Sequence, residues 1–146
     1  MDIERIGTDL QDTLVELTDL ALQAKQAHWN LTGPQFLPLH AHLDTLTGEL
    51  RTAADDVAER AVAIGYAPDG RSSTVAKQSP LIEPPAGALS DHAVVKIFAG
   101  ALDAVAQRVR IRIENLERLD PVSQDLLIRV AHDLEKQQWM FNAQRV

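Results

Sequence analysis

The sequence contains no cysteine. That excludes disulfides, thiolate zinc sites, iron–sulfur clusters and a cysteine nucleophile, so any metal must be held by His, Asp and Glu. No run of about 18 apolar residues is present, which argues against a membrane span. The opening MDIERIGTDL lacks the basic and apolar regions of a signal peptide, and the expectation is a soluble cytoplasmic protein. Strand-like alternation, internal repeats and low-complexity tracts are also missing. What remains is 146 residues, 45% hydrophobic and 24% charged, an ordinary composition for one globular domain over residues 1–146. The net charge is −7. An acidic body favours cations and repels phosphate backbones.

The apolar positions recur with helical period. Leu10, Leu14, Leu17, Ala21, Ala24, His28 and Leu31 mark one face of a first predicted helix, about 3–31. Thr32-Gly33-Pro34 stops it. Phe36, Leu39, Leu43, Leu46, Leu50, Ala53, Val57 and Ile64 form the stripe of a second, about 35–64, with Gly65 as its stop. A Pro- and Gly-rich connection follows, with a short helix expected at about 73–78. Ser90 reads as the N-cap of a helix over 91–119. Asp120-Pro121 reads as N-cap and first residue of the last helix, 121–144. Four long helices with one long middle connection predict an all-α, ferritin-like four-helix bundle with a short extra helix in that connection.

The Glu-x-x-His pairs that build metal sites inside such bundles are absent. The second predicted helix offers another arrangement. His40 and Asp44 are four residues apart, as are Asp55 and Glu59, so each pair presents two donors from adjacent turns. Eleven residues separate Asp44 from Asp55, about three turns, which places all four on one side, opposite the Leu/Phe stripe. The two pairs are also about 16 Å apart along the axis, too far for one ion. The simplest completion is a two-fold dimer with this helix packed antiparallel to its copy near Gly48–Leu50, Gly48 and Ala41 letting the backbones approach. The plainer alternative is a solvated outer face, with Asp55–Glu59 a like-charge pair partly neutralised by Arg51 and Arg60.

The stretch KQAHWNLTGPQFLPLHAHLDTLTGELRTAADDVAER resembles the Dps family, the mini-ferritins. The matching parts are His28-Trp29-Asn30, Gly33, Phe36, Leu39-His40, Asp44, and Asp55 with Ala58-Glu59-Arg60; DLEKQQWM near the C-terminus resembles the family's fourth-helix motif. The resemblance implies a homododecameric shell with a ferroxidase centre at each two-fold interface. It implies His28, His40, Asp44, Asp55 and Glu59 as ligands. On that reading the histidines are neutral nitrogen ligands. Asp55 and Glu59 bind tightest, from the partner chain, and Asp44 is a weaker or second-metal ligand. The substrates implied are Fe(II) and hydrogen peroxide or dioxygen, with ferric oxide stored inside. Imidazole–carboxylate ligation also suits zinc or manganese. Trp29 is a candidate shield of the site or a packing residue.

Asp120 and Asp125 are candidates to line a three-fold pore, the alternative being helix capping and first-turn charge. His42, His92 and His132 read as bystanders, and Trp139 and Met140 as packing. Direct DNA binding, as by a nucleoid-associated protein, is the competing function. Arg5 and Arg145 stand alone near the ends, and no basic arm is expected. The cluster Arg108, Arg110, Arg112 is expected to pair with Glu114 and Glu117 on the surface.

Overall fold

The structure, a computed structural model, describes residues 1–145. The chain runs α1 (Ile3–Asn30), β1 (Leu31–Thr32), α2 (Phe36–Ala63), α3 (Ser72–Gln78), β2 (Leu89–Ser90), α4 (Asp91–Leu116) and α5 (Pro121–Asn142). The four long helices and the short one lie within three residues of their expected bounds. The two-residue strands were not expected, because two residues are too short to show alternation.

The helix ends follow local chemistry. Asp2 caps α1 by accepting from the Arg5 N–H, Ser90 caps α4 by accepting from the Ala93 N–H, and Asp120 caps α5 ahead of Pro121. At the end of α2, Gly65 adopts φ +92°. The Gly65 N–H donates to the Val62 carbonyl and the Tyr66 N–H to the Ala61 carbonyl, both at 2.9 Å, the Schellman pattern that satisfies the last carbonyls of a helix.

β1 pairs in parallel with β2, Leu31 opposite Leu89. This fixes the topology. The start of α4 lies beside the end of α1, where α2 also starts, so α2 and α4 run the same way. The connection between them must travel the length of the bundle, about 40 Å for a 28-residue helix. α1 packs chiefly on α2, and α4 on α5. Leu10, Leu17, Leu43, Leu46, Phe98, Leu102, Leu127 and Phe141 fill the core between them.

Phe36, expected on the apolar stripe, and Trp139, read as packing, both stand at the surface. Phe36 is 36% exposed and stacks on His40 instead of the core. Trp139 is 64% exposed and lines an open groove between α4 and α5.

The α1–α2 turn depends on Gly33. Its φ is +124°, and a Cβ there would lie 2.6 Å from Asp91 Oδ2. Asp91 is buried and accepts from the backbone N–H of Gln35 at 2.9 Å, so it ties the start of α4 to this turn. Gly33→Ala combines a left-handed backbone with a steric overlap. It is expected to cost at least about 1–3 kcal/mol, read as a lower thermal unfolding midpoint at fixed protein concentration.

Candidate metal centre

That turn brings the last turn of α1 against the second turn of α2, and with them His28 and His40. The two imidazoles stack with centroids 3.7 Å apart and planes 11° from parallel. His28 Nδ1 donates to the His40 carbonyl at 2.6 Å, and His40 Nδ1 donates to the His28 carbonyl at 2.7 Å. A carbonyl only accepts, so each neutral ring carries its proton on Nδ1 and keeps the Nε2 lone pair for another partner. The same bonds fix both ring orientations, as in imidazoles that ligate metals. Phe36 closes the stack on His40 at 4.9 Å. The sequence pattern puts His28 on the apolar stripe; in the structure it is half-buried at the edge of the core.

Asp44 lies one turn beyond His40 and is exposed. Its partner is Lys25, on α1 one turn before His28, with Nζ 2.5 Å from Oδ1. The Lys25 hydrogen bond and charge hold the Asp44 carboxyl below its ordinary range. The sequence reading gave Lys25 no role. Its spacing of three from His28 was the available signal, since that places both on one helix face.

Asp55 and Glu59 lie three to four turns further along α2, both exposed. Neither makes an ion pair among the described residues. Arg60, a candidate with Arg51 to neutralise part of this pair on the solvated-face alternative, turns away: its Nη2 donates to Asp120 Oδ2 at 2.7 Å and its Nε to Ser123 Oγ at 2.9 Å. Among the described residues, no three His, Asp or Glu side chains of one chain gather closely enough to hold an ion. One chain therefore presents two separated half-sets, His40 and Asp44 of α2 with His28 of α1, and Asp55 with Glu59 further along the outer strip of α2. Between them lies Gly48, where an added Cβ would meet nothing within 4 Å. Trp29, beside His28, is 65% exposed.

The two pore candidates differ. Asp120 is 4% exposed, caps α5 and is bound by Arg60, so its carboxylate is already engaged. Asp125 is exposed, with Arg129 Nε 3.9 Å away. His42 is a structural residue, bonded through Nε2 to Gln137 Oε1 at 2.8 Å, while Gln137 donates to Glu49 at 2.9 Å. His92 and His132 are exposed.

Among the described residues the Arg108, Arg110, Arg112 cluster is ion-paired, but not with Glu114 and Glu117. Arg110 makes a bidentate pair with Glu135, both contacts at 2.8 Å, and Arg108 and Arg112 both pair with Glu16 across the bundle.

A family model described as a ferritin-like domain matches residues 8–146. A DNA protection during starvation protein 2 from Deinococcus radiodurans is 40% identical over 97% of this chain. The chain spans 59% of that relative's length. A crystal structure of Dps92 from Deinococcus radiodurans superposes with a TM-score of 0.96 at 40% identity, covering 97% of this chain and 86% of that one.

The chain belongs to the Dps family of ferritin-like proteins.

A Dps from Microbacterium arborescens, solved in a high iron form, is 30% identical with a TM-score of 0.92, covering 97% of this chain and 92% of that one. Family membership accounts for the bundle with its short helix in the long connection. Like other Dps chains it is all-helical in its layers, and none of its described helices is long and apolar enough to cross a membrane.

Proposed function

We propose that this Dps chain is an iron-oxidising, iron-storing mini-ferritin whose metal site is completed across a two-fold dimer within a dodecameric shell. The observation that carries the reading is the split donor set. His40 and Asp44 sit at one end of the outer strip of α2, with His28 beside them at the end of α1, and Asp55 and Glu59 lie three to four turns further along α2. An antiparallel copy of α2, crossing near the bare Gly48, joins the first set of one protomer to the second set of its partner, twice per dimer.

The donor chemistry fits iron. Two neutral imidazoles and three carboxylates give nitrogen and oxygen ligands without sulfur, a set that iron accepts and that zinc or manganese can share. Carboxylates are negative and only accept; they stabilise Fe(III) over Fe(II) and so favour loss of an electron. Two ferrous ions give one electron each to hydrogen peroxide, its O–O bond breaks, and two protons complete two waters. Dioxygen is the alternative oxidant. The ferric product collects as oxide inside the shell. Exposed Asp125, rather than Asp120, is the residue suited to an acidic entry route, since a ring of carboxylates concentrates cations. Such chemistry consumes both reagents that generate hydroxyl radicals, in a cytoplasmic protein.

The test is anomalous scattering at the iron edge from iron-soaked crystals, with peroxide-driven iron oxidation measured in parallel. Density between His28 and His40 of one protomer and Asp55 and Glu59 of the other is expected. His40→Ala with Asp55→Ala should leave an intact shell that oxidises iron no faster than buffer. Undiminished oxidation by that variant sinks the proposal.

The names of the relatives raise DNA protection. The net charge of −7 and the pairing of Arg108 and Arg112 with Glu16 and of Arg110 with Glu135 disfavour binding of phosphates by this cluster. Protection is then chemical, through removal of iron and peroxide. No shift of plasmid DNA is expected at neutral pH and about 0.15 M salt; retention of plasmid there would favour a nucleoid-binding role.

A further inference from the structure

Three large apolar side chains of α2 stand exposed: Phe36, Leu37 at 74% and Val62 at 61%. The stack on His40 accounts for Phe36. Leu37 and Val62 face water in the single chain. Isolated exposed apolar side chains are ordinary on a protein surface, but the placement of these two is not. They lie 25 residues apart on one helix. That is within about 20° of seven whole turns, so both fall on the outer strip that carries His40, Asp44, Asp55 and Glu59. Each also stands three residues outside a donor, Leu37 before His40 and Val62 after Glu59.

A two-fold contact is self-complementary, so a residue on one side of the dyad meets the residue equally far out on the other. The pairs His40–Glu59 and Asp44–Asp55 share one midpoint, between Glu49 and Leu50. Leu37 and Val62 have that same midpoint. We propose, resting on the shared metal site above, that Leu37 of each protomer packs on Val62 of the partner subunit. This apolar pair, made once at each end of the α2–α2 contact, locks the register that sets the two donor half-sets opposite one another.

The strip needs such a lock. Its centre is bare at Gly48, where an added Cβ would meet nothing within 4 Å, and so has no side chain to interdigitate. The donors do not draw two metal-free strips together either: Asp44, Asp55 and Glu59 outnumber the cations Lys25 and Arg51. Apolar burial at both ends supplies an attraction that does not depend on metal. It also restricts the geometry. Contacts at both ends, about 37 Å apart along the helix, require the two copies of α2 to cross at a shallow angle, near about 20° and not about 50°. Leu37 and Val62 are thus positioning residues. Phe36 covers one face of His40, and the apolar pair closes the site beyond it.

Charge substitution at the two positions is the test, with sedimentation reading assembly and calorimetry reading zinc, which does not oxidise or mineralise. Both positions are exposed in the single chain, so every variant should keep the wild-type helix content by circular dichroism. Leu37→Glu should break the shell into smaller species and weaken zinc binding by about 10–100-fold, the loss usual for residues that support metal ligands. Val62→Lys should do the same. Leu37→Glu combined with Val62→Lys places opposite charges at each contact and should restore assembly and most of the zinc affinity, as should Leu37→Lys with Val62→Glu. Leu37→Lys with Val62→Lys should stay apart. Unchanged assembly and zinc binding in Leu37→Glu, or no recovery in either opposite-charge variant, overturns the lock and leaves the shared site standing. A wild type that binds zinc as a single chain overturns the shared site, and the lock with it.

Discussion

Protomers carrying His40→Ala and protomers carrying Asp55→Ala with Glu59→Ala, each inactive in its own shell, should regain iron oxidation when assembled together. The reason is the placement of the donors. His28, His40 and Asp44 form one half-set and Asp55 with Glu59 the other, separated by about 16 Å of helix, and Gly48 between them has open space on its outer side. In a two-fold dimer each site takes one half from each protomer. A mixed dimer then has one site with both halves damaged and one with both intact. Random pairing of equal amounts makes half the dimers mixed, so about one quarter of wild-type activity should return. Each parent variant should fall by more than about 100-fold, because loss even of residues that only support metal ligands costs 10–100-fold. Co-expression of the two variants with different affinity tags, purification of doubly tagged shells and a stopped-flow oxidation assay measure the recovery. A site built within one chain predicts no recovery at all, and that result would remove the basis of the proposed mechanism.

Much of this arrangement was legible before any coordinates. The i, i+4 spacing of His40–Asp44 and Asp55–Glu59 fixes which face of α2 carries them, because helical period alone decides it. Gly33-Pro34, Gly65, Ser90 and Asp120-Pro121 mark helix ends through backbone chemistry that is local in sequence. What was not legible is whatever depends on residues distant in the chain. The stacking of His28 on His40 needs the turn to be closed by Asp91, 56 residues from Gln35. Arg60 turns to Asp120, 60 residues on, instead of to Glu59 beside it. Phe36 fits the apolar period of α2, yet it lies on the first turn, beyond the cover of the opposite helices, and so stacks on His40. Lys25 shares a face with His28 by spacing, but its partner Asp44 comes from another helix and gives no sign in the local pattern.

Glu16 shows the same limit with the largest energetic consequence, and its removal is the stability change expected to be greatest. It lies on α1, 1% exposed, with both Arg108 and Arg112 of α4 paired to it; Arg112 Nη1 is 2.5 Å from Oε2 and 3.2 Å from Thr13 Oγ1. The arginines share a face at i, i+4, which points them across the bundle and away from Glu114 and Glu117. Glu16→Ala leaves two guanidinium groups facing an emptied, water-poor space. Breaking a buried pair from one side costs about 3–5 kcal/mol. Arg108 retains some access to water, so the lower end is expected, about 3 kcal/mol. Arg108→Ala should cost less, since Arg112 continues to pair with Glu16. Glu16→Leu together with Arg108→Leu and Arg112→Leu should recover most of the loss, because apolar replacement of a whole buried ion cluster is often neutral or better. Thermal unfolding at fixed protein concentration reads all three; if Glu16→Ala unfolds like the wild type, the cluster is not a buried one. The cluster also bears on where metal is held. Of the acids buried among the described residues, Asp91 and Asp120 sit at helix starts, and Glu16 alone faces the bundle interior. Two arginines already pair with it, so the interior described here offers a cation no free carboxylate, which agrees with the proposed placement of the metal on the outer strip of α2.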